Sequence, residues 1–222
     1  MDLVIISGAT RPQSASNTAR IISAFKSGFE AEGGTAEVWY LSDRRQWPGA
    51  AKAFAAGSSI LIALPLYMEN IPGILLEFLS GLKPKMTPGT RIAFLLQGGF
   101  PETSQSRCCE KYLKTLPAQL GCEYAGTLIK GDMFGIGLMD EKNRQKLLSG
   151  FAEMGRLYAR NGRFDEETVD RFAAPEYMSK KQIRMYNMFG KHISRFFMGQ
   201  IGKKLGCRER LDARPYAGSC RP

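Results

Sequence analysis

Residues 3–18 read LVIISGATRPQSASNT, an apolar run that stops at Gly8 and opens into a loop crowded with hydroxyls. Leu3 to Ile6 has the continuous apolar character of a strand buried on both faces. Ala19 to Phe29 then repeats apolar residues at helical spacing, so the loop ends at a helix N-terminus. A helix start gathers unpaired N–H groups and the positive end of the peptide dipoles, and an anion is stable there. Thr10, Ser14, Ser16 and Thr18 add hydroxyls, Asn17 an amide, and Arg11 a planar fork of donors. The stretch is expected to hold a phosphate. The competing reading is an ordinary strand–loop–helix turn with Asn17 as N-cap.

The same loop restricts the ligand. A triphosphate-binding loop needs a Lys before its Ser or Thr, and the chain contains neither GKS nor GKT. The dinucleotide fingerprint needs three glycines at fixed spacing, and this turn has only Gly8. Neutral hydroxyls with one Arg suit a monophosphate.

Further strands are expected at Ala36–Leu41, Ser59–Leu64, Arg91–Leu96 and Tyr124–Ile129. Between them the periodicity predicts helices over about Asn17–Glu32, Ala50–Ala56, Pro72–Leu82 and Ser106–Leu120, with a last one from Asp140 to about Asn161. Short apolar strands alternating with helices indicate an α/β fold, a doubly wound parallel five-stranded sheet in the order 2-1-3-4-5. The chain of 222 residues then divides into a body, 1–162, and a helical extension, 163–222.

In that order a ligand sits outside the carboxyl ends of strands 1, 3 and 4. After strand 3 comes Pro65-Leu66-Tyr67-Met68-Glu69-Asn70-Ile71-Pro72, an apolar, aromatic segment stiffened by two prolines. After strand 4 comes Gln97-Gly98-Gly99-Phe100, whose glycines let backbone approach a ring edge. Together with the hydroxyl loop, these segments outline a pocket for a phosphorylated, flat heterocycle. A phosphoacceptor receiver shares the strand order but needs an acid at the end of strand 3, where this chain has Leu64-Pro65.

The five cysteines, Cys108, Cys109, Cys122, Cys207 and Cys220, show no C-x-x-C, and His192 is the only histidine. Neither zinc nor an iron–sulfur cluster has a recognisable ligand set; adjacent Cys108 and Cys109 read as one exposed and one buried thiol on a helix. This usage, with strand 1 starting at once, fits a reduced cytosolic protein without a signal peptide.

The chain resembles the NAD(P)H-dependent FMN reductase family of flavodoxin-like proteins. Gly8-Ala9-Thr10-Arg11…Ser16-Asn17-Thr18 is similar to the family's phosphate loop, Pro65-Leu66-Tyr67 to its Pro-x-Tyr segment, and Gln97-Gly98-Gly99 to its glycine-bearing loop. Ala9 stands where the family usually has Ser, and the loop from Arg11 to Asn17 is longer than the common version. The resemblance implies FMN held by Thr10, Arg11, Ser14, Ser16, Asn17, Thr18, Pro65, Leu66, Tyr67, Met68, Asn70, Ile71, Gln97, Gly98, Gly99 and Phe100. It implies an enzyme that takes hydride from NAD(P)H onto flavin N5 and passes electrons to a second, small-molecule acceptor. No catalytic side chain is called for; the N–H groups of Gly98 and Gly99 would stabilise charge on the reduced ring. It also implies a homodimer. A flavodoxin-type electron carrier and a flavin-binding sensor with little turnover share the same pocket; the carrier normally presents an acidic docking surface.

Charge is distributed unevenly. From Pro175 onward there are 11 Lys/Arg against 3 Asp/Glu, a net of +8, and the first 174 residues carry 20 against 18, a net of +2. Met178, Gln182, Met185, Tyr186, Phe189, Ile193, Phe196, Phe197 and Ile201 recur at helical spacing among Lys180, Lys181, Arg184, Lys191 and Arg195. This predicts a basic amphipathic helix, or a pair broken near Gly190 or Gly199. The stripe is expected to pack on protein, most often across a dimer; an anionic membrane surface and a lid over the flavin compete with that. Nucleic acid is disfavoured, because the cations accompany an apolar stripe.

Overall fold

The computed structural model describes residues 1–67, 69–86, 88–173, 175–204, 206–207 and 212–214. Met68 and Cys220 lie outside the described residues. Five strands, β1 (Asp2–Ser7), β2 (Thr35–Tyr40), β3 (Ser59–Pro65), β4 (Arg91–Gln97) and β5 (Glu123–Lys130), form one sheet in the order β2-β1-β3-β4-β5. Every pairing is parallel. The helices are α1 (Asn17–Glu30), α2 (Trp47–Ala56), α3 (Gly73–Ser80), α4 (Arg107–Gln119), α5 (Glu141–Asn161), α6 (Glu166–Phe172) and α7 (Lys180–Lys204).

Alternate residues of each central strand feed two separate cores. Val4, Ile6, Ile62, Leu64, Phe94 and Leu96 pack with Phe54, Leu75 and Leu113 of α2, α3 and α4. Leu3, Ile5, Leu61, Ala63, Ala93 and Leu95 pack with Ile22 and Phe25 of α1 and with Phe151 and Tyr158 of α5. Burying an Ile or Phe contributes about 1.5–3 kcal/mol, against a strand-propensity range of about 1 kcal/mol. Two-sided burial therefore sets the strands, and the continuous apolar runs of β1, β3 and β4 are its signature.

The α1–α5 contact depends on missing side chains. A Cβ on Gly28 would stand 1.8 Å from the Ala152 carbonyl oxygen, and one on Gly155 would stand 2.0 Å from that of Phe25. Backbone meets backbone there, which fixes the direction of α1 behind the first loop.

Several expectations shift. Ser16, not Asn17, caps α1, its Oγ accepting from the Ala19 N–H at 3.2 Å. Pro72 precedes α3 in extended backbone rather than opening its first turn. Helix α2 begins at Trp47, earlier than expected. The tail helix α7 is continuous through Gly190 and Gly199. Residues beyond 162 also join the body: Phe164 and Val169 lie in the second core, and the compact units of the chain are 1–177 and 178–222. Arg107 ties the end of the first unit down, pairing with Glu176 at 2.8 Å and Glu110 at 2.9 Å. Thr103 and Ser104 donate backbone N–H groups to the carbonyls of Pro175 and Glu176.

Candidate functional site

The carboxyl ends of β1, β3 and β4 deliver their loops to one edge of the sheet, as the strand order requires. Backbone bonds hold those ends in step. Gly8 donates to Ala63 at 2.8 Å, Leu66 to Gln97 at 2.7 Å, and Gly98 to Lys130 at 2.9 Å. Gly8 is there for packing, since a Cβ would press within 2.8 Å of Leu75.

The first loop separates into two groups of residues. Thr10, Arg11 and Ser14 are exposed, around a 3-10 turn at Gln13–Ala15. Ser16 and Thr18 are buried and Asn17 half-buried, each with a protein partner. Beyond the Ser16 cap, the Thr18 hydroxyl accepts from the Gln97 amide at 3.4 Å. The Asn17 amide donates to the carbonyls of Met133 and Phe134 at 3.0 and 3.2 Å. The side chains of Asn17 and Thr18 thus brace α1 against neighbouring loops; Ser16 takes the Ala19 N–H, which leaves those of Asn17 and Thr18 as first-turn donors that a helix cannot satisfy internally.

In the second loop Pro65 is buried, Leu66 and Ile71 are half-buried, and Tyr67 and Asn70 are exposed. Tyr67 and Asn70 exchange backbone hydrogen bonds across a tight turn, and Asn70 Oδ1 accepts from the Ile71 N–H at 2.8 Å. Glu69 closes that turn at φ 64°, in the left-handed region that costs a non-glycine residue about 1 kcal/mol or more. The turn holds the Tyr67 ring out, 43% exposed.

In the third loop Gln97 and Gly98 are buried, and Gly99 and Phe100 are exposed. The Gly98 N–H is spent on Lys130, so it does not serve as the ring donor expected from sequence; among the described residues nothing accepts from Gly99. Neither glycine has a positive φ. A Cβ on Gly98 would find its nearest neighbour at 3.7 Å, and one on Gly99 would find Phe134 Cβ at 3.5 Å, both ordinary contact. The fold itself has no need of glycine at either place.

A fourth loop, after β5, was not singled out from sequence. Met133 N–H donates to Gly98 and Asp132 N–H to Phe100, so this loop pairs with the third one. Phe134 is 58% exposed beside Gly99, and its carbonyl takes the Asn17 amide. The signal that would have found it is topological, because β5 lies next to β4. Burial pushes the Lys130 ammonium below its usual range, with the Asp132 charge opposing; its Nζ donates to the Phe172 carbonyl at 2.6 Å. Away from the crevice, Cys109 is buried and Cys108 exposed, the arrangement expected of a helix carrying one inert thiol; burial pushes the Cys109 thiol up to about 11.

No protein-family model and no curated protein matches the sequence. Solved structures do resemble it. One is an FMN-dependent NADH-azoreductase from Bacillus anthracis in complex with FMN, 16% identical over 72% of this chain and 100% of that one, with a TM-score of 0.54. An NADH:FMN oxidoreductase in its apo form is 15% identical over 82% of this chain and 98% of its own, at 0.55. An NAD(P)H:quinone oxidoreductase from Methanothermobacter marburgensis is 16% identical over 75% of this chain and 98% of its own, at 0.52. At such identities a likeness speaks for architecture, and with the strand order above it establishes that the chain has the flavodoxin-like α/β fold.

Proposed function

We propose that the crevice binds FMN and that the protein is an FMN-dependent NAD(P)H oxidoreductase acting on a small-molecule acceptor. The observation that carries this reading is the pair Gly98-Gly99. They are two glycines that neither packing nor backbone demands, in the loop leaving the carboxyl end of β4, one of them beside the loop that receives Asn17 from α1. Space kept free of Cβ atoms at that position suits a flat ring laid against backbone. Bound FMN would supply the redox chemistry, taking hydride from the nicotinamide and passing electrons to the acceptor.

The chain's own residues bind and orient. Thr10, Arg11 and Ser14 present exposed donors to a phosphate, and the first turn of α1 adds N–H groups under the Ser16 cap. Pro65, Leu66 and Ile71 wall the pocket, with Asn70 fixing the turn that projects Tyr67. Gln97 links the third loop to Thr18, and Gly99 offers its N–H where negative charge would develop, with Phe100 at the rim. The solved likenesses described as FMN-dependent or FMN-reducing oxidoreductases support the assignment. A homodimer, implied by the resemblance, belongs to the same proposal, as does the cytoplasmic location expected from the cysteine usage.

Titrating FMN and riboflavin into the purified protein, then supplying NADH or NADPH, tests it. The expected result is about one FMN per chain, markedly weaker riboflavin, and steady oxidation of nicotinamide with a quinone or azo acceptor. Equal affinity for both flavins would remove the phosphate site. Tight FMN without turnover would favour the carrier or sensor.

A further inference from the structure

The helix α7 is one uninterrupted element of 25 residues, Lys180–Lys204, about 37 Å long at 1.5 Å per residue. It contains seven Lys/Arg and no acidic residue. At about 100° per residue, Phe196, Phe189, Ile193, Tyr186, Phe197 and Ile183 fall within an arc of about 140°, Lys180, Lys181, Arg184 and Arg195 fall within about 100° on the opposite side, and Lys203 falls at the edge of the apolar arc. The side chains of the arc are exposed: Ile183 is 43% exposed, Tyr186, Phe189 and Ile193 each 51%, Phe197 52% and Phe196 64%. No helix among the described residues is long and apolar enough to cross a membrane. A segregated basic helix with an aromatic face is the pattern of an element that lies within the headgroup boundary.

We propose that α7 docks flat on the anionic headgroups of a lipid bilayer, its Phe, Ile and Tyr side chains in the acyl boundary and its cations among the headgroups. Charge complementarity selects this occupant. A second copy packed through the apolar arc would turn the cations of both helices outward, with no acid on either helix to pair with them. Among the described residues the ion pair made by this helix, Arg195 with Asp212 at 2.9 Å, draws its acid from beyond the helix end. The first 174 residues carry a net charge of only +2, so the attraction resides in the extension. Each Lys or Arg near an anionic surface adds roughly fivefold to affinity.

The test is co-sedimentation of the full-length protein with phosphatidylcholine vesicles, with and without phosphatidylglycerol. Binding is expected on the phosphatidylglycerol vesicles, at least about 25-fold tighter than on phosphatidylcholine alone, and weakening as salt approaches 1 M. Phe189→Asp with Phe196→Asp should abolish it with the unfolding midpoint of the body unchanged. Should that variant precipitate, Lys180→Glu with Lys181→Glu should still lower affinity by about 25-fold or more. Failure of the wild-type chain to bind anionic vesicles at low salt would overturn the proposal. So would undiminished binding by the variants, or a stable lipid-free dimer that Phe189→Asp converts to monomer.

Discussion

A valine at position 99 would be accommodated by the protein and resented by a ring. A Cβ at that position meets only Phe134, at an ordinary 3.5 Å, and the residue has no positive φ. Gly99→Val is therefore expected to keep the unfolding midpoint while weakening FMN at least about tenfold, or ~1.4 kcal/mol; fluorescence titration beside a denaturant melt reads both. Tyr158 gives a pH prediction. It is fully buried, with its hydroxyl 3.3 Å from that of Ser59, and burial raises its pKa above 10.0. In the folded state it keeps a proton that the unfolded chain gives up above that value. Its contribution to stability is thus complete below pH 10.0 and is lost as pH rises through the folded pKa. Tyr158→Phe should cost about 1 kcal/mol at neutral pH and flatten the alkaline loss, as denaturant midpoints from pH 7 to 11 would show. At this scale the sequence disclosed residue types and not their commitments. Asn17 and Thr18 are legible as polar loop residues, but only the fold shows their side chains spent on Phe134 and Gln97. The Gly98 N–H is likewise engaged by a strand 32 positions later in the chain, which no local pattern encodes.

Among the elements, the contact of α1 with α5 is the least tolerant of change. Either Gly28→Ala or Gly155→Ala would drive a methyl into a carbonyl oxygen of the facing helix, at 1.8 and 2.0 Å respectively. Backbone cannot yield as a side-chain tip does, so each should destabilise by at least about 2 kcal/mol. Because α1 also presents the turn proposed to bind phosphate, FMN affinity should fall with stability; thermal melts with and without FMN separate the two. The strands were readable because two-sided burial leaves unbroken apolar runs such as SILIALP in β3. Helix α6 was not, since its seven residues carry only Val169 and Phe172 as apolar anchors, too few to display a period. In α7, Gly190 and Gly199 suggested breaks, yet glycine costs a helix about 1 kcal/mol where proline costs about 3. Continuity through both is the outcome that difference favours.

For the molecule as a whole, the two faces of the sheet are completed at different times along the chain. The face built on Val4, Ile62 and Phe94 is covered by α2, α3 and α4, all encoded before β5. The opposite face needs Phe151, Met154, Tyr158, Phe164 and Val169, which all follow it. A chain ending at 139 should be protease-sensitive and bind a hydrophobic dye, and one ending at 177 should resist protease; limited proteolysis of the two compares them directly. Parallel strands need long crossovers and fold slowly, which sharpens the contrast. During translation, residues 140–177 take roughly 2–8 s to be added. For those seconds one hydrophobic side of a nascent sheet has only α1 laid against it, a client for chaperones until its final helices emerge.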